Sequence, residues 1–291
     1  MKISKDKNNI IIDELKDFDI EEVLECGQCF HFTRLDNKHY ELLCFGKYLE
    51  VSQKGNQLTL YNTTMDDYEK IWLSYFDLDT DYGNIKNDIL QLDSRLYDAI
   101  LTKPGIRILK QDFFETLISF IISQNKQIPH IKQIVHTISE KYGTEHILPS
   151  GRKVYSFPTV EQLSLVSEEE LRACKVGFRA PYIKCAVDMV ASGEISEEKL
   201  ITMSVSQARE TLMTIKGVGE KVANCVLLFG LGFTDTFPVD VWMKRIMEYM
   251  YFDKPQDKKA IEAFAMEKYG DLAGYAQQYL FFYGRENGLG K

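Results

Sequence analysis

The chain has 291 residues, 45% of them hydrophobic and 27% charged, which is ordinary for a soluble globular protein and enough for two or three domains. No apolar run reaches the ~18 residues of a membrane span. The first residues lack the apolar core of a signal peptide, so a cytoplasmic location is expected, associated with the nucleoid only if the chain binds DNA. Acids number 43 and bases 35, giving a net charge of −8. That argues against a uniformly basic nucleic-acid binder but leaves room for a local basic face.

The N-terminal part reads as antiparallel strands. Asp19 to Cys26 suggests a short helix. His31 to Leu35, Tyr40 to Phe45, Tyr48 to Gln53 and Gln57 to Tyr61 are rich in aromatic and β-branched residues, with turn residues between them. After about residue 65 the spacing becomes helical. Helices are expected over Asp67–Phe76, Ser94–Leu101, Phe113–Ser123, Ile128–Tyr142, Thr159–Leu165, Ser167–Lys175, Ala180–Ser192, Ser206–Thr214, Glu220–Phe229, Val241–Met250, Asp257–Tyr269 and Asp271–Tyr283. Phe113–Ser123 is almost wholly apolar and reads as a buried central helix. Ser167 with Glu170 forms a capping-box pattern. The fold class is therefore α+β. A twisted antiparallel sheet domain (1–104) precedes a helical region (105–291), with the junction near Lys103-Pro104-Gly105.

Six cysteines lie at 26, 29, 44, 174, 185 and 225. Cys26 and Cys29 form a C-x-x-C that could serve a zinc or redox site. No second pair follows, so buried reduced thiols are the favoured reading. The chemistry concentrates between Leu212 and Met247. Ile215-Lys216-Gly217-Val218-Gly219 reads as a tight turn between two helices. The amides of Gly217, Val218 and Gly219 could grip a phosphate, or the turn could carry no ligand. Further along, Phe237-Pro238-Val239-Asp240 places a carboxylate at the mouth of the next helix.

This layout resembles the helix-hairpin-helix, Gly/Pro-Asp superfamily of DNA glycosylases. Four further segments make it similar to the 8-oxoguanine DNA glycosylase family, as a bacterial-type member: Gly27-Gln28-Cys29-Phe30, Gly105–Asn125, Val176–Tyr182 and Ala273–Phe281. The similarity spans nearly the whole chain in order. It implies an all-α glycosylase core of two helical subdomains with a cleft between them, acting as a monomer on double-stranded DNA that contains damaged guanine. It implies a bifunctional glycosylase and apurinic-apyrimidinic lyase, with no membrane partner. No cofactor is implied, although the family's hairpin can hold a monovalent cation.

Residue by residue, the resemblance makes Lys221 the nucleophile that forms a Schiff base and Asp240 the carboxylate that supports it. On their own, Lys221 could be a solvated surface charge and Asp240 a helix N-cap. The base pocket would comprise Gly27, Cys225, Gln277 and Phe281. The Gly27 carbonyl would accept the proton that 8-oxoguanine carries at N7, Phe281 and Cys225 would cover the two base faces, and Gln277 would bond the base edge. Asn125 would fill the gap left by the flipped base, Phe178 would wedge into the stack, and Arg179 would read the partner base. Core packing, helix capping and simple burial are the competing readings of these residues.

Several positions depart from the family pattern. Lys216 stands where proline is usual, His130 where relatives carry a second partner-reading arginine, and Trp242 where they carry histidine. Lys110, Lys126, Arg179, Lys216, Lys221, Lys244 and Arg245 are expected to gather around the cleft. Excision of another damaged purine, or non-catalytic DNA binding through the hairpin, are the alternative functions.

Overall fold

The computed structural model describes residues 1–289. The N-terminal part contains β1 (Lys2–Asp6), β2 (Asn9–Asp13), α1 (Ile20–Glu25), β3 (Phe32–Asp36), β4 (His39–Cys44), β5 (Lys47–Lys54) and β6 (Gln57–Tyr61). Two short helices, α2 (Met65–Asp67) and α3 (Leu73–Tyr75), flank a π-helical turn at Tyr68–Trp72. They are followed by α4 (Tyr82–Leu92) and α5 (Tyr97–Thr102). The rest comprises α6 (Phe113–Ser123), α7 (Ile128–Tyr142), a small hairpin of β7 (Glu145–Ile147) and β8 (Lys153–Tyr155), α8 (Val160–Ser164), α9 (Glu168–Ala173), α10 (Ala180–Ala191), α11 (Glu197–Leu200), α12 (Val205–Met213), α13 (Glu220–Gly230), α14 (Val241–Tyr251), α15 (Lys258–Tyr269) and α16 (Ala273–Glu286). No helix among them is long and apolar enough to cross a membrane.

The four strands expected from sequence form a meander, β3 to β6. The strands β1 and β2 add to its other edge, giving the antiparallel order β1-β2-β6-β5-β4-β3. In β2, Ile10 and Ile12 point into the core while their neighbours do not. This is the period-two pattern of a half-buried strand. By contrast, β1 is exposed along its whole length and carries Lys2 and Lys5, residues that discourage pairing at an open sheet edge.

Three apolar cores organise the chain. The first lies under the sheet and is closed by Trp72, Tyr75, Phe76 and Leu78. The second surrounds α6, whose residues Phe113 to Ile122 are buried apart from Glu115, and which packs along α13. The third joins Ile89, Leu96, Ala99 and Ile100 of the 82–102 region to Met243, Met247, Ala276 and Leu280 near the other end of the chain. Polar bonds bind the sheet to the helices. The buried Gln28 amide donates to the Arg107 carbonyl (2.7 Å) and its oxygen accepts the Leu109 amide (2.9 Å). Arg107 in turn donates to the carbonyls of Asp17 (2.8 Å) and Lys16 (3.0 Å). Each bond satisfies a buried group that would otherwise cost about 1–3 kcal/mol.

Candidate active site

The hairpin begins at α12, whose first turn is closed by reciprocal bonds between Ser204 and Gln207. Its turn runs through Ile215-Lys216-Gly217-Val218, and α13 starts after Gly219 with no side chain capping its first amides. The two glycines serve different ends. Gly217 has φ +85, and a Cβ there would lie 2.3 Å from the Tyr182 ring. At Gly219 a Cβ would meet nothing within 4 Å, so the backbone is open to close approach by a ligand. Gly217→Ala is expected to cost a left-handed backbone penalty of about 1–2 kcal/mol and about 1–3 kcal/mol of overpacking. Gly219→Ala should leave the thermal midpoint unchanged and weaken duplex binding. Melting curves and binding isotherms on the two variants check both expectations.

Lys221 stands in the first turn of α13. Its Nζ donates to Ser123 Oγ (3.1 Å) and lies 4.9 Å from the centre of the Phe120 ring. Asp240 caps α14, with Oδ1 accepting the Met243 amide at 2.7 Å. Both residues line one cleft of about 830 Å³, together with Ser123, Asn125, Trp242 and Lys258. Cys225 is buried one helical turn beyond Lys221. Burial pushes its thiol up to about 11, with the Lys221 charge pulling it down and Asp240 pushing it further up. The thiol therefore stays protonated at neutral pH. Iodoacetamide at pH 8 is expected to label the half-buried Cys185 before Cys225, as mass spectrometry of the labelled peptides would show.

The other residues singled out from sequence fall into distinct places. Gly27, at φ +90, faces Phe281, whose Cε1 would sit 3.5 Å from a Cβ at Gly27. Gln277 is buried, 3.4 Å from the Pro238 carbonyl, and so is tied to the segment that carries Asp240. Gly27, Cys225, Gln277 and Phe281 stand outside the lining of the open cleft. Asn125 is exposed at its rim with φ +52, a left-handed conformation that asparagine tolerates. Phe178 is 50% exposed and stands edge-on to Tyr182.

Arg179 is buried, at 3% exposure. Its guanidinium stacks on Phe178 at 4.3 Å and donates to the carbonyls of Val176 and Gln124. It thus ties the Phe178 loop to the Asn125 loop.

The expected basic cluster is only partly assembled. Lys126 and Lys221 line the cleft and Lys258 joins them, a residue the sequence reading did not single out. Lys110 is a correction. It pairs with the buried Asp77 carboxylate (2.8 Å) and lines a separate hollow with Phe45, Tyr75 and Glu197. Its main-chain amide bonds to the Tyr75 carbonyl, which draws the side chain to the sheet side of the molecule. Cys26 and Cys29 are buried thiols bonded to the carbonyls of Val23 and Leu24. Ser123 was also missed, because only its tertiary contact with Lys221 marks it.

Two known family models match consecutive stretches of the chain. The model for the 8-oxoguanine DNA glycosylase N-terminal domain covers residues 10–117, and that for the HhH-GPD superfamily base excision DNA repair protein covers residues 118–270. The chain belongs to the 8-oxoguanine DNA glycosylase family. This glycosylase is 30% identical over 262 residues to a probable N-glycosylase/DNA lyase of Methanothermobacter thermautotrophicus, spanning 83% of this chain and 79% of that one. It is 31% identical over 269 residues to the N-glycosylase/DNA lyase of Saccharomyces cerevisiae, spanning 81% and 69%. Its structure superimposes with a TM-score of 0.95 on the 8-oxoguanine glycosylase/lyase of Clostridium acetobutylicum bound to double-stranded DNA with cytosine opposite 8-oxoguanine. That relative is 39% identical, and the match covers 99% of both chains.

Proposed function

We propose that the chain is a bifunctional DNA glycosylase and apurinic-apyrimidinic lyase that excises 8-oxoguanine from duplex DNA. One observation carries this reading: Lys221 and Asp240, on different helices, line the same cleft beside an uncapped, unobstructed hairpin end. The flipped nucleotide enters the cleft at a cost of a few kcal/mol. The Lys221 nitrogen attacks C1′ as the bond from C1′ to the base nitrogen breaks, and the proton that the attacking nitrogen gives up goes to the departing base. Asp240 stabilises the positive charge that grows on the sugar. The sugar ring then opens as the C1′–O4′ bond breaks and O4′ takes up a proton, leaving a protonated imine that acidifies C2′, whose proton is lost as the 3′ phosphate departs. Hydrolysis then releases the lysine. The lysine supplies the nucleophile, so the chemistry needs no metal. A monovalent cation on hairpin carbonyls would order that loop only. A monomeric, cytoplasmic enzyme gathered on the nucleoid by its DNA affinity fits this activity.

A duplex with a single 8-oxoguanine should yield a nicked strand with an unsaturated sugar end. An intact strand, with cleavage at an alkylated purine instead, would move the substrate to another damaged base. A strand that stays intact on every lesion even after alkali, which cuts at any abasic site, would leave only DNA binding.

The partner base should be read loosely. His130 stands at one of the two expected arginine positions, and the Arg179 guanidinium is bonded to two carbonyls. A good bidentate arginine contact contributes about 1–3 kcal/mol of base discrimination. Excision rates opposite all four bases are therefore expected to fall close together. A strict requirement for cytosine would reject this.

A further inference from the structure

Arg285 lies on α16 one turn beyond Phe281, and nothing above gives it a role. Its Nη2 donates to the Glu25 carbonyl at the end of α1 (2.8 Å). Its Nη1 is buried and has no acceptor among the described residues. The guanidinium carbon lies 5.7 Å from the Phe281 ring centre and 5.2 Å from that of Phe282. A Cβ built on Gly27 would lie 3.3 Å from Nη1 and 3.5 Å from Phe281. An unspent, permanently charged donor thus stands beside the Gly27 backbone and the Phe281 edge. Buried donors are rarely left unpaired in folded proteins, and arginine keeps its charge at any physiological pH.

The chemistry of the lesion supplies the missing acceptor. In 8-oxoguanine the N7 proton lies between two keto oxygens, at C6 and C8. An acceptor for that proton leaves a keto oxygen on each side of it in need of a donor. We propose that Arg285 is a specificity-determining residue whose Nη1 donates to a keto oxygen flanking N7 of the flipped base, beside the Gly27 carbonyl. This rests on the reading of 8-oxoguanine as substrate with Gly27 in its pocket. Arg285 then reads the base edge directly, and its bond to Glu25 fixes the guanidinium with the buried Nη1 free for the ligand.

The competing role is a strut that merely ties α16 to α1. Arg285→Met keeps the aliphatic contact with the rings and removes both donors. Single-turnover excision of 8-oxoguanine should fall about 10- to 100-fold, the loss expected for one charge-assisted hydrogen bond. Affinity for a duplex with a tetrahydrofuran abasic analogue, which has no base to read, should stay within about twofold of wild type. Arg285→Lys, which keeps the charge and one donor reach, should recover part of the rate. Should Arg285→Met not fold, Arg285→Gln carries the same comparison. A wild-type excision rate in either folded neutral variant overturns the proposal. So does an equal fall in excision and abasic-duplex affinity, which marks a strut. Failure of the wild-type enzyme to excise 8-oxoguanine overturns the substrate reading itself, and is told apart by that arm alone.

Discussion

Lys221→Gln should form no borohydride-stable adduct with an 8-oxoguanine duplex, and its excision rate should fall at least about 10³-fold. Glutamine is close to lysine in helix propensity and its amide can still bond a hydroxyl. The contact with Ser123 therefore has a substitute, and the fold should be undisturbed. What disappears is the amine, and with it any covalent link between protein and sugar. Unchanged circular dichroism melting would show that the loss is chemical. Persistent trapping in Lys221→Gln would assign the nucleophile to another amine, with Lys126 and Lys258 the other lysines lining the cleft.

The second large effect is expected at Asp240, where two substitutions separate charge from capping. Asparagine caps a helix about as well as aspartate, so Asp240→Asn should keep the bond to the Met243 amide and melt near the wild-type temperature. Its single-turnover rate should nevertheless fall about 10²- to 10³-fold, the scale of losing one electrostatic contribution to the transition state. Asp240→Ala loses the cap as well and should be destabilised by about 1 kcal/mol more. Equal rates for Asp240→Asn and wild type would reduce this carboxylate to a structural cap.

The sheet was legible where runs of aromatic and β-branched residues lie between turn residues. The strands from β3 to β6 were found within a few residues. The β1 and β2 strands were not: every residue of β1 is exposed, and the three consecutive isoleucines of β2 hide its alternation between core and surface. The α4 helix was missed for a related reason. Only Tyr82 and Ile89 of its residues are buried, too few to mark an amphipathic face, and its start depends on Asp81 capping the Asn84 amide. The β7–β8 hairpin has three residues per strand, below the length at which alternation can be read.

The site divided along the same line. Lys221 and Asp240 are marked by glycine and proline spacing nearby in the chain. The contact of Ser123 with Lys221, the burial of Arg179 and the free Nη1 of Arg285 depend on segments far apart in sequence. For Arg285 the distance is 260 residues to Glu25. No local pattern carries that information.

The third core has a consequence for biosynthesis. It joins Cys26 and the 82–102 region to α14, α15 and α16. A chain emerging from the ribosome can form its sheet and the helical hairpin that bears Lys221 from segments already made. The wall that carries Asp240 needs partners from the 82–102 region and from α15 and α16, and such distant contacts form late because closing a long loop costs chain entropy before it is rewarded. The hairpin that bears Lys221 is thus expected to form before Asp240 is held opposite it, and the cleft to close only once α14 to α16 have been made.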